Sequence, residues 1–573
     1  MCGIHAVLTS PKVSSSSHDL STDLKSCLCN RGPDYLGQVQ RRGPAPWSLT
    51  FTSTVLALRG DHVAQQPLGD LHIGSVLCWN GEAWRIDGHP VNGNDGEAIY
   101  GLLTKASATE NNEAAILSVL RSIEGPFAFV YYDAPSQTVY YGRDRLGRRS
   151  LMINAQDEGT LTLCSIAESG DASWKEVEAD GIYVLHLESS SALPPVKRHD
   201  WITEQDQADF EKTRTVVTNS PNYQVSGIGR FNMSLPAEDT VGLAPSSSSV
   251  AMLRQQLVES LRPRALNIPQ PPHANANAAC RTRVAVLFSG GLDCTVLARL
   301  THDLLDPDQG IDLINVAFEN PRVVAQLEKD SKGQPFDLYE ACPDRITGRR
   351  SFAELQKVCP ERAFRFLAVN VPYSETLAHR HQVISLMHPH NTEMDLSIGY
   401  ALYFAARGQG CCYETSSSSP DSQTQIAYTT PARVLLSGLG ADELFGGYGR
   451  HAVAFVRQGY AGLVDELKLD VSRLGKRNLG RDDRVMAHWG KEVRFPYLDE
   501  RLVRWAIETP AWEKCDYEHA ETSGVEPGKR VLRLLALELG MENVAKEKKR
   551  AIQFGARTAK MESGRVKGTT LIS

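Results

Sequence analysis

Hydrophobic positions along this chain follow two different rhythms. In roughly the first two hundred residues they alternate in short runs: FTSTVLALRG (51–60), VLCWNGE (76–82), GPFAFVYYD (125–133), TVYYGRD (138–144) and ADGIYVLHL (179–187). Alternation of this kind predicts half-buried strands. Turn residues punctuate them, at Arg31-Gly32-Pro33-Asp34 and at Asn92-Gly93-Asn94-Asp95-Gly96-Glu97, the latter leading into a helical AIYGLL. Asn80-Gly81 at the end of the second run reads as a hairpin signal, and the first run reads as a strand that delivers Arg59. The expectation is a β-rich layered domain over residues 1–205.

After residue 280 the rhythm changes. Runs of continuous apolar residues, VAVLF (284–288), GIDLINVAFEN (310–320), RFLAVNV (365–371) and ARVLLSG (432–438), alternate with helical stretches. That predicts a parallel sheet covered by helices on both faces, over residues 281–573. Between the two lies a polar segment, 206–280, with a serine run at Ser246–Ser249 and a Pro/Ala/Asn stretch at Pro269–Ala279. Both low-complexity pieces are expected to be loops or tethers. Val250, Leu253, Leu257, Val258 and Leu261 fall on one helical face and predict a helix packed on the second domain.

The bulk numbers narrow the function classes. The chain has 573 residues, 42% hydrophobic and 23% charged, with net charge −7. An acidic chain with no basic face argues against a nucleic-acid partner. No apolar run reaches the ~18 residues of a membrane helix, and the start, MCGIHAVLTS, lacks the form of a signal peptide. The twelve cysteines are therefore expected to be reduced and structural in a cytoplasmic protein.

The apolar run at 284–288 ends in Ser289-Gly290-Gly291 and passes into a helical stretch. A strand, glycine turn and helix N-terminus offer unpaired N–H groups and a positive dipole end to an anion. Asp293 could hold a magnesium ion bridging phosphate oxygens. A second glycine-rich turn, Ser437-Gly438-Leu439-Gly440, also carries a carboxylate, Asp442, with Glu443 beside it. Two such turns at strand ends fit one magnesium–triphosphate site with Asp293 and Asp442 as ligands. They also read as two unrelated turns of a parallel sheet. No Gly-Lys-Ser/Thr follows the first, so it is not the common P-loop.

Cys2 is the other candidate. With Met1 removed it carries a thiol and an α-amine whose pKa is roughly 7.7–8.0, low enough to act as a base at neutral pH.

Several motifs carry resemblances. MCGI, RGPD, the strand-end Arg59, NGE, the turn Asp95, GPFAFVYYD and RDRLGRRSL occur in the order seen in class II, N-terminal-nucleophile, glutamine amidotransferases. The resemblance implies an αββα sandwich. It implies that Cys2 attacks the glutamine amide, that Asn80 and Gly81 form the oxyanion hole, and that Arg59 clamps the α-carboxylate. Glu82 and Asp95 would hold the α-ammonium, with Arg31 and Asp34 structural or near the site.

SGGLDC resembles the SGGxDS loop of ATP pyrophosphatases, with Cys294 in the place of a hydroxyl residue. SGLGADELFGGY resembles the corresponding motif of glutamine-hydrolysing asparagine synthetases, as does RNLGRDDRVMAHWGKEVRFPYLDE (477–500). In that family ATP adenylates the aspartate side chain, and ammonia travelling through an internal tunnel displaces AMP. The resemblance implies an ATP site at Phe288, Ser289, Gly290, Gly291, Asp293, Ser437 and Gly438, with Ala317 backing the adenine. It also implies Mg2+ as cofactor and an acid acceptor, and leaves a homodimer open.

Three departures stand out. Leu439 replaces a glutamate of the family motif. The segment NTEMDLSIGYALYFAARGQG (391–410) is shorter than the family's aspartate-binding stretch. The lysine expected beside Gln553-Phe554 falls nearest Ala551, with Lys548, Lys549 or Arg550 as substitutes. With CPDRITGRRSFAEL (342–355) and KRAIQFGARTAK (549–560), they make the chain resemble the asparagine synthetase domain-containing subgroup more than the main-line enzymes. PDRITGR reads either as a charged element of an anionic site or as a surface loop. Asparagine formation is the expected outcome; the alternatives are a different carboxylate acceptor, or an ATP-binding relative without turnover.

Overall fold

A computed structural model describes residues 2–10, 20–44, 47–70, 72, 74–155, 159–168, 170, 172–188, 193–203, 224–225, 227–238, 240–272, 282–330, 335–415, 423–519, 524–561 and 567–572. The chain divides into two compact units. The first comprises Met1–Gly229, Asn267–Ala274 and Arg473–Gly490; the second comprises Arg230–Leu266, Asn275–Ser472 and Lys491–Ser573. The segment Arg473–Gly490 lies far along the sequence yet packs with the first unit. It carries the helix Leu479–Ala487.

The first unit contains two six-stranded antiparallel sheets. In one, Gly3–Thr9 lies between Thr160–Cys164 and Ser48–Val55. In the other, Phe127–Asp133 lies between Val76–Gly81 and Thr138–Arg143. Inward residues of both sheets make one core, including Ile4, Ala6, Leu8, Phe51, Cys78 and Val130. The outer face of the second sheet packs Trp79, Phe127 and Phe129 with the helical residues Ile99, Leu103 and Leu120. This is the N-terminal-nucleophile sandwich.

Two local readings change. The strand before Arg59 stops at Val55; the Ala57 N–H goes instead to Asp34 Oδ2 at 2.7 Å. Arg59 therefore sits on irregular chain beyond the strand. Asn80-Gly81 makes no hairpin either, because both residues are still paired in register, with Ala128 and Phe127.

The second unit is built on a seven-stranded sheet. Phe364–Val371, Ile311–Phe318, Val284–Leu287, Val434–Leu436 and Glu492–Arg494 run parallel in that spatial order. Gln409–Thr415 and Gln423–Thr429 extend one edge antiparallel. Chain order moves outward in both directions from Val284–Leu287, so the reversal lies between this strand and Val434–Leu436. Ligands of open parallel sheets bind at such a reversal. The glycine turns at Ser289 and Ser437 leave from these two strands.

The expected connecting helix spans Ser248–Ala265, with Val250, Leu253, Leu257 and Leu261 fully buried. Part of the serine run is thus helix rather than tether. Ser is a favoured residue at helix starts, and Ser247 stands at the cap, although its Oγ accepts from Ala244 N at 3.0 Å. Most of Pro269–Ala279, and Ser416–Ser419, lie outside the described residues.

Candidate active sites

In the first unit Cys2 leads the strand Gly3–Thr9 and is 8% exposed. Its main-chain N–H donates to Asn80 Oδ1 at 3.0 Å. Asn80 is fully buried, and its Nδ2 has no partner among the described residues. A buried amide donor left unpaired costs free energy unless a ligand completes it. It belongs to the same amide whose oxygen accepts from the Cys2 N–H.

Gly81 follows from the ladder. Glu82 N bonds Pro126 O at 2.8 Å, while Phe127 exchanges its bonds with Asp144: Phe127 N to Oδ2 at 3.1 Å and Asp144 N to Phe127 O at 2.7 Å. Gly81 opposes Phe127 at a non-hydrogen-bonded position, so its N–H turns away from that strand. A Cβ at residue 81 would lie 2.5 Å from both Phe127 Cβ and Pro126 O, which requires glycine. Asn80 and Gly81 therefore offer two donors of the kind an oxyanion hole needs.

The charged residues stand nearby. Arg59 Nη1 meets Glu82 Oε2 at 3.3 Å, and its Nη2 donates to Val91 O at 2.7 Å. Glu82 is 2% exposed. Asp95 Oδ2 accepts from Ala83 N at 2.8 Å and Trp79 Nε1 at 3.1 Å. Burial pushes the Asp95 carboxyl above the usual range, opposed by the Arg59 charge. A guanidinium facing two buried carboxyls matches the opposite charges of an α-amino acid.

Sequence reasoning missed Gln66, whose Nε2 lies 3.7 Å from Cys2 Sγ while its Oε1 accepts from Trp79 N at 2.9 Å. No motif marked it. Asp34 supports the Ala57 backbone, and Arg31 is buried beside Cys2, with Nε 3.5 Å from Cys2 O and Nη2 2.8 Å from Asp483 Oδ2.

In the second unit the two glycine turns meet. A Cβ on Gly438 would lie 2.9 Å from Asp293 Cβ, so the turn rests directly on the start of the helix Leu292–Leu304. Gly290 has φ +80°, a conformation glycine adopts without strain. Ser289 Oγ accepts from Gly291 N, and Ser437 Oγ from Leu439 N, both at 3.3 Å. Cys294 is buried, its Sγ 3.3 Å from Gly291 O; Thr295 Oγ1, one residue on, bonds the same carbonyl at 2.7 Å. Phe288 and Ala317 are enclosed, at 2% and 0% exposure.

The residue that joins the two carboxylates is Lys529, which sequence reading missed. Its Nζ lies 2.7 Å from Asp293 Oδ2 and 2.7 Å from Asp442 Oδ1. Lys529 has φ +55° at the start of the helix Arg530–Glu538, uncommon for a residue with a side chain. Gly447 leaves room for it: a Cβ there would lie 2.1 Å from both Asp442 Oδ1 and Lys529 Cε. Lys549 also pairs with Asp442. It is thus the lysine of the KEKKR run that reaches the site, while Arg550 turns to Asp344 Oδ1 at 3.7 Å and Thr347 Oγ1 at 3.3 Å.

Burial alone would raise the Asp442 carboxyl, but Lys529 and Lys549 hold it well below the ordinary range. Glu443 is raised by burial and by Asp442 beside it. Burial pushes Asp344 up to about 7, with Arg550 and Lys549 pulling it down and Glu547 adding to the rise.

Among the described residues no group of three or more His, Cys, Asp or Glu could hold a metal by itself. Two carboxylates at one point do suit Mg2+ arriving with a triphosphate, since that ion takes one or two carboxylates plus phosphate oxygens.

Comparison with known proteins identifies the family. Residues 1–183 match the glutamine amidotransferase domain, and residues 456–569 match asparagine synthase. Asparagine synthetase domain-containing protein 1 of Bos taurus is 33% identical, covering 99% of this chain and 97% of that protein. The Homo sapiens protein of the same name is 34% identical over 95% and 93%. The glutamine-hydrolyzing asparagine synthetase of Gallus gallus is 23% identical over 89% and 77%. The chain belongs to the asparagine synthetase domain-containing protein 1 family, within the asparagine synthetase-like glutamine amidotransferases.

Proposed function

We propose that the protein hydrolyses glutamine at Cys2 and uses the ammonia to amidate a carboxylate activated by ATP, with aspartate as acceptor and asparagine, AMP and pyrophosphate as products. The observation that carries this reading is the unpaired, buried Asn80 Nδ2 beside the Cys2 nucleophile.

In the first unit the Cys2 thiolate adds to the glutamine amide carbon, and the carbonyl oxygen takes the negative charge. Asn80 Nδ2 and Gly81 N–H stabilise that oxyanion, worth several kcal/mol when donors are preorganised. The α-amine of Cys2, exposed by loss of Met1, carries the proton to the leaving nitrogen. Ammonia departs, and water hydrolyses the thioester to glutamate. Arg59 takes the substrate carboxylate, and Glu82 and Asp95 its ammonium.

In the second unit Ser289, Gly290, Gly291, Ser437 and Gly438 cradle the triphosphate, and Phe288 and Ala317 back the nucleoside side. Asp293 and Asp442 would hold Mg2+, which neutralises charge developing on the phosphates. The acceptor carboxylate attacks the α-phosphorus and pyrophosphate leaves. Ammonia then adds to the acyl-adenylate, and AMP leaves as the amide forms. Lys529 and Lys549 compensate the negative charge gathered at Asp293 and Asp442.

One observation favours a second acceptor. Leu439 brings an aliphatic side chain where the family motif has a glutamate, so any acid–base or charge contact from that position is absent. A different carboxylate fits such a change. The deciding assay supplies glutamine, MgATP and aspartate and measures glutamate, pyrophosphate and asparagine together. Asparagine matched to pyrophosphate supports aspartate. Glutamate without pyrophosphate rejects aspartate and calls for a screen of other carboxylates by AMP release.

A further inference from the structure

The PDRITGR signature is not a surface loop. It forms the first turns of the helix Pro343–Val358. These turns pack against the Ser289–Gly291 loop at van der Waals limits. A Cβ on Gly290 would lie 2.5 Å from Gly348 Cα and N, and a Cβ on Gly348 would lie 2.7 Å from Asn315 Nδ2.

Two loop carbonyls are held at this contact. Ser351 Oγ donates to Gly290 O at 2.7 Å. Asn315 Nδ2 donates to Phe288 O at 2.9 Å and to Asp344 O at 2.9 Å. Asn315 is itself held, because Arg345 Nε donates to its Oδ1 at 2.7 Å. Arg345 is fully buried, with Nη2 on Asn370 Oδ1 at 2.7 Å and Nη1 on Glu340 Oε1 at 2.9 Å.

A planar trans peptide points its C=O and N–H in opposite directions. Holding the Phe288 carbonyl toward Asn315 and the Gly290 carbonyl toward the helix turns the N–H groups of Ser289 and Gly291 to the other side, where the Gly291 N–H and the Ser289 hydroxyl lie together at 3.3 Å. Without those holds, a Ser-Gly-Gly loop rotates its peptides at little cost, because glycine takes either sign of φ. An anion cradle of backbone N–H groups works only when their directions are fixed.

We propose that Ser351, Asn315 and Arg345 are positioning residues of the nucleotide site. They fix the peptide directions of the phosphate loop through its carbonyls and touch no substrate. The proposal rests on the reading of Ser289–Gly291 as the ATP phosphate site.

The test is titration calorimetry of the full chain with MgATP. Ser351→Ala removes one buried hydrogen bond and should weaken binding about tenfold, in keeping with the net worth of such a bond. Ser351→Thr keeps the hydroxyl and should restore affinity to within about threefold. Arg345→Lys loses the fork on Asn315 and Asn370 and should weaken binding in the same direction. Glutaminase activity of Ser351→Ala should stay at the wild-type value and its melting temperature should fall by no more than a few degrees, which separates positioning from general unfolding. Wild-type affinity in Ser351→Ala, or failure of Ser351→Thr to restore it, overturns the proposal alone. Absence of MgATP binding by the wild-type chain overturns the ATP reading and the proposal with it.

Discussion

Lys529 Nζ lies 2.9 Å from Asp293 Oδ1 and 2.7 Å from its Oδ2, so one ammonium spans both oxygens of the first acidic residue of the helix Leu292–Leu304. The same ammonium reaches Asp442 at the second glycine turn. Two segments more than a hundred residues apart in sequence thus share one counter-charge, and neither carboxylate faces the other uncompensated.

Replacing Lys529 by Met keeps the length of the side chain and removes the charge. Asp293 then loses its counter-charge, and Asp442 keeps only Lys549. Pyrophosphate release should fall at least about a hundredfold, the scale expected when a preorganised charge is lost from a phosphoryl site. Glutamate release should persist. Equal loss of both activities would show that Lys529 serves folding rather than the site.

At the amino-terminal site, Asn80→Ala removes the unpaired Nδ2 donor and the Oδ1 partner of Cys2. Glutaminase kcat should drop by about 10² to 10³, the range seen on removing one oxyanion donor. Steady-state glutamate release checks it. A change confined to KM would mean that Asn80 binds glutamine rather than the oxyanion.

Gly447→Ala places a methyl group where the Asp442 carboxylate and the Lys529 methylene already stand. The pair must move apart. MgATP binding should be lost while the first unit keeps its glutaminase activity. Unchanged nucleotide binding would show that the pairing is dispensable.

Asp344 gives a pH-dependent prediction. Burial pushes its carboxyl up to about 7 in the folded protein, against about 3.9 in an unfolded chain. Between these values the native state holds the proton more tightly, so this residue's contribution to stability falls as pH rises from about 4 to 7 and is lost above the folded value. Asp344→Asn removes the titration. Its melting temperature relative to wild type should rise by a few degrees from pH 5 to pH 8. A constant difference across that range would mean that Arg550 and Lys549 already keep Asp344 ionised.

Much of this was readable from the residues. The two rhythms of hydrophobic positions gave the layered antiparallel unit and the parallel sheet, because strand period and continuous burial leave direct marks in sequence. Asp293 and Ser437 stood out at glycine turns beside apolar runs, and Asn80 and Gly81 through the resemblance to class II glutamine amidotransferases. Gln66 and Lys529 did not: each reaches its site by tertiary packing, from a segment whose local sequence carries no motif. The Asn80-Gly81 pair misled in one respect. Its turn propensity yields to the ladder, and the glycine is there for close approach to Phe127 and Pro126. The PDRITGR segment could be read from sequence only as charged; its packing on Gly290 depends on the sheet that brings Asn315 beneath it.

The placement of Arg473–Gly490 with the first unit has a consequence for how the protein comes into being. Asp483 accepts from Arg31 at 2.8 Å and from Ser150 N at 3.2 Å, and Arg484 donates to Ser150 Oγ at 2.7 Å. On the ribosome, the amino-terminal unit emerges early but must wait for these later residues. Its buried arginines stay without their acidic partner until nearly the whole polypeptide has been made. The amino-terminal unit therefore completes its packing only when most of the second unit has been translated, which ties the two in time as well as in sequence.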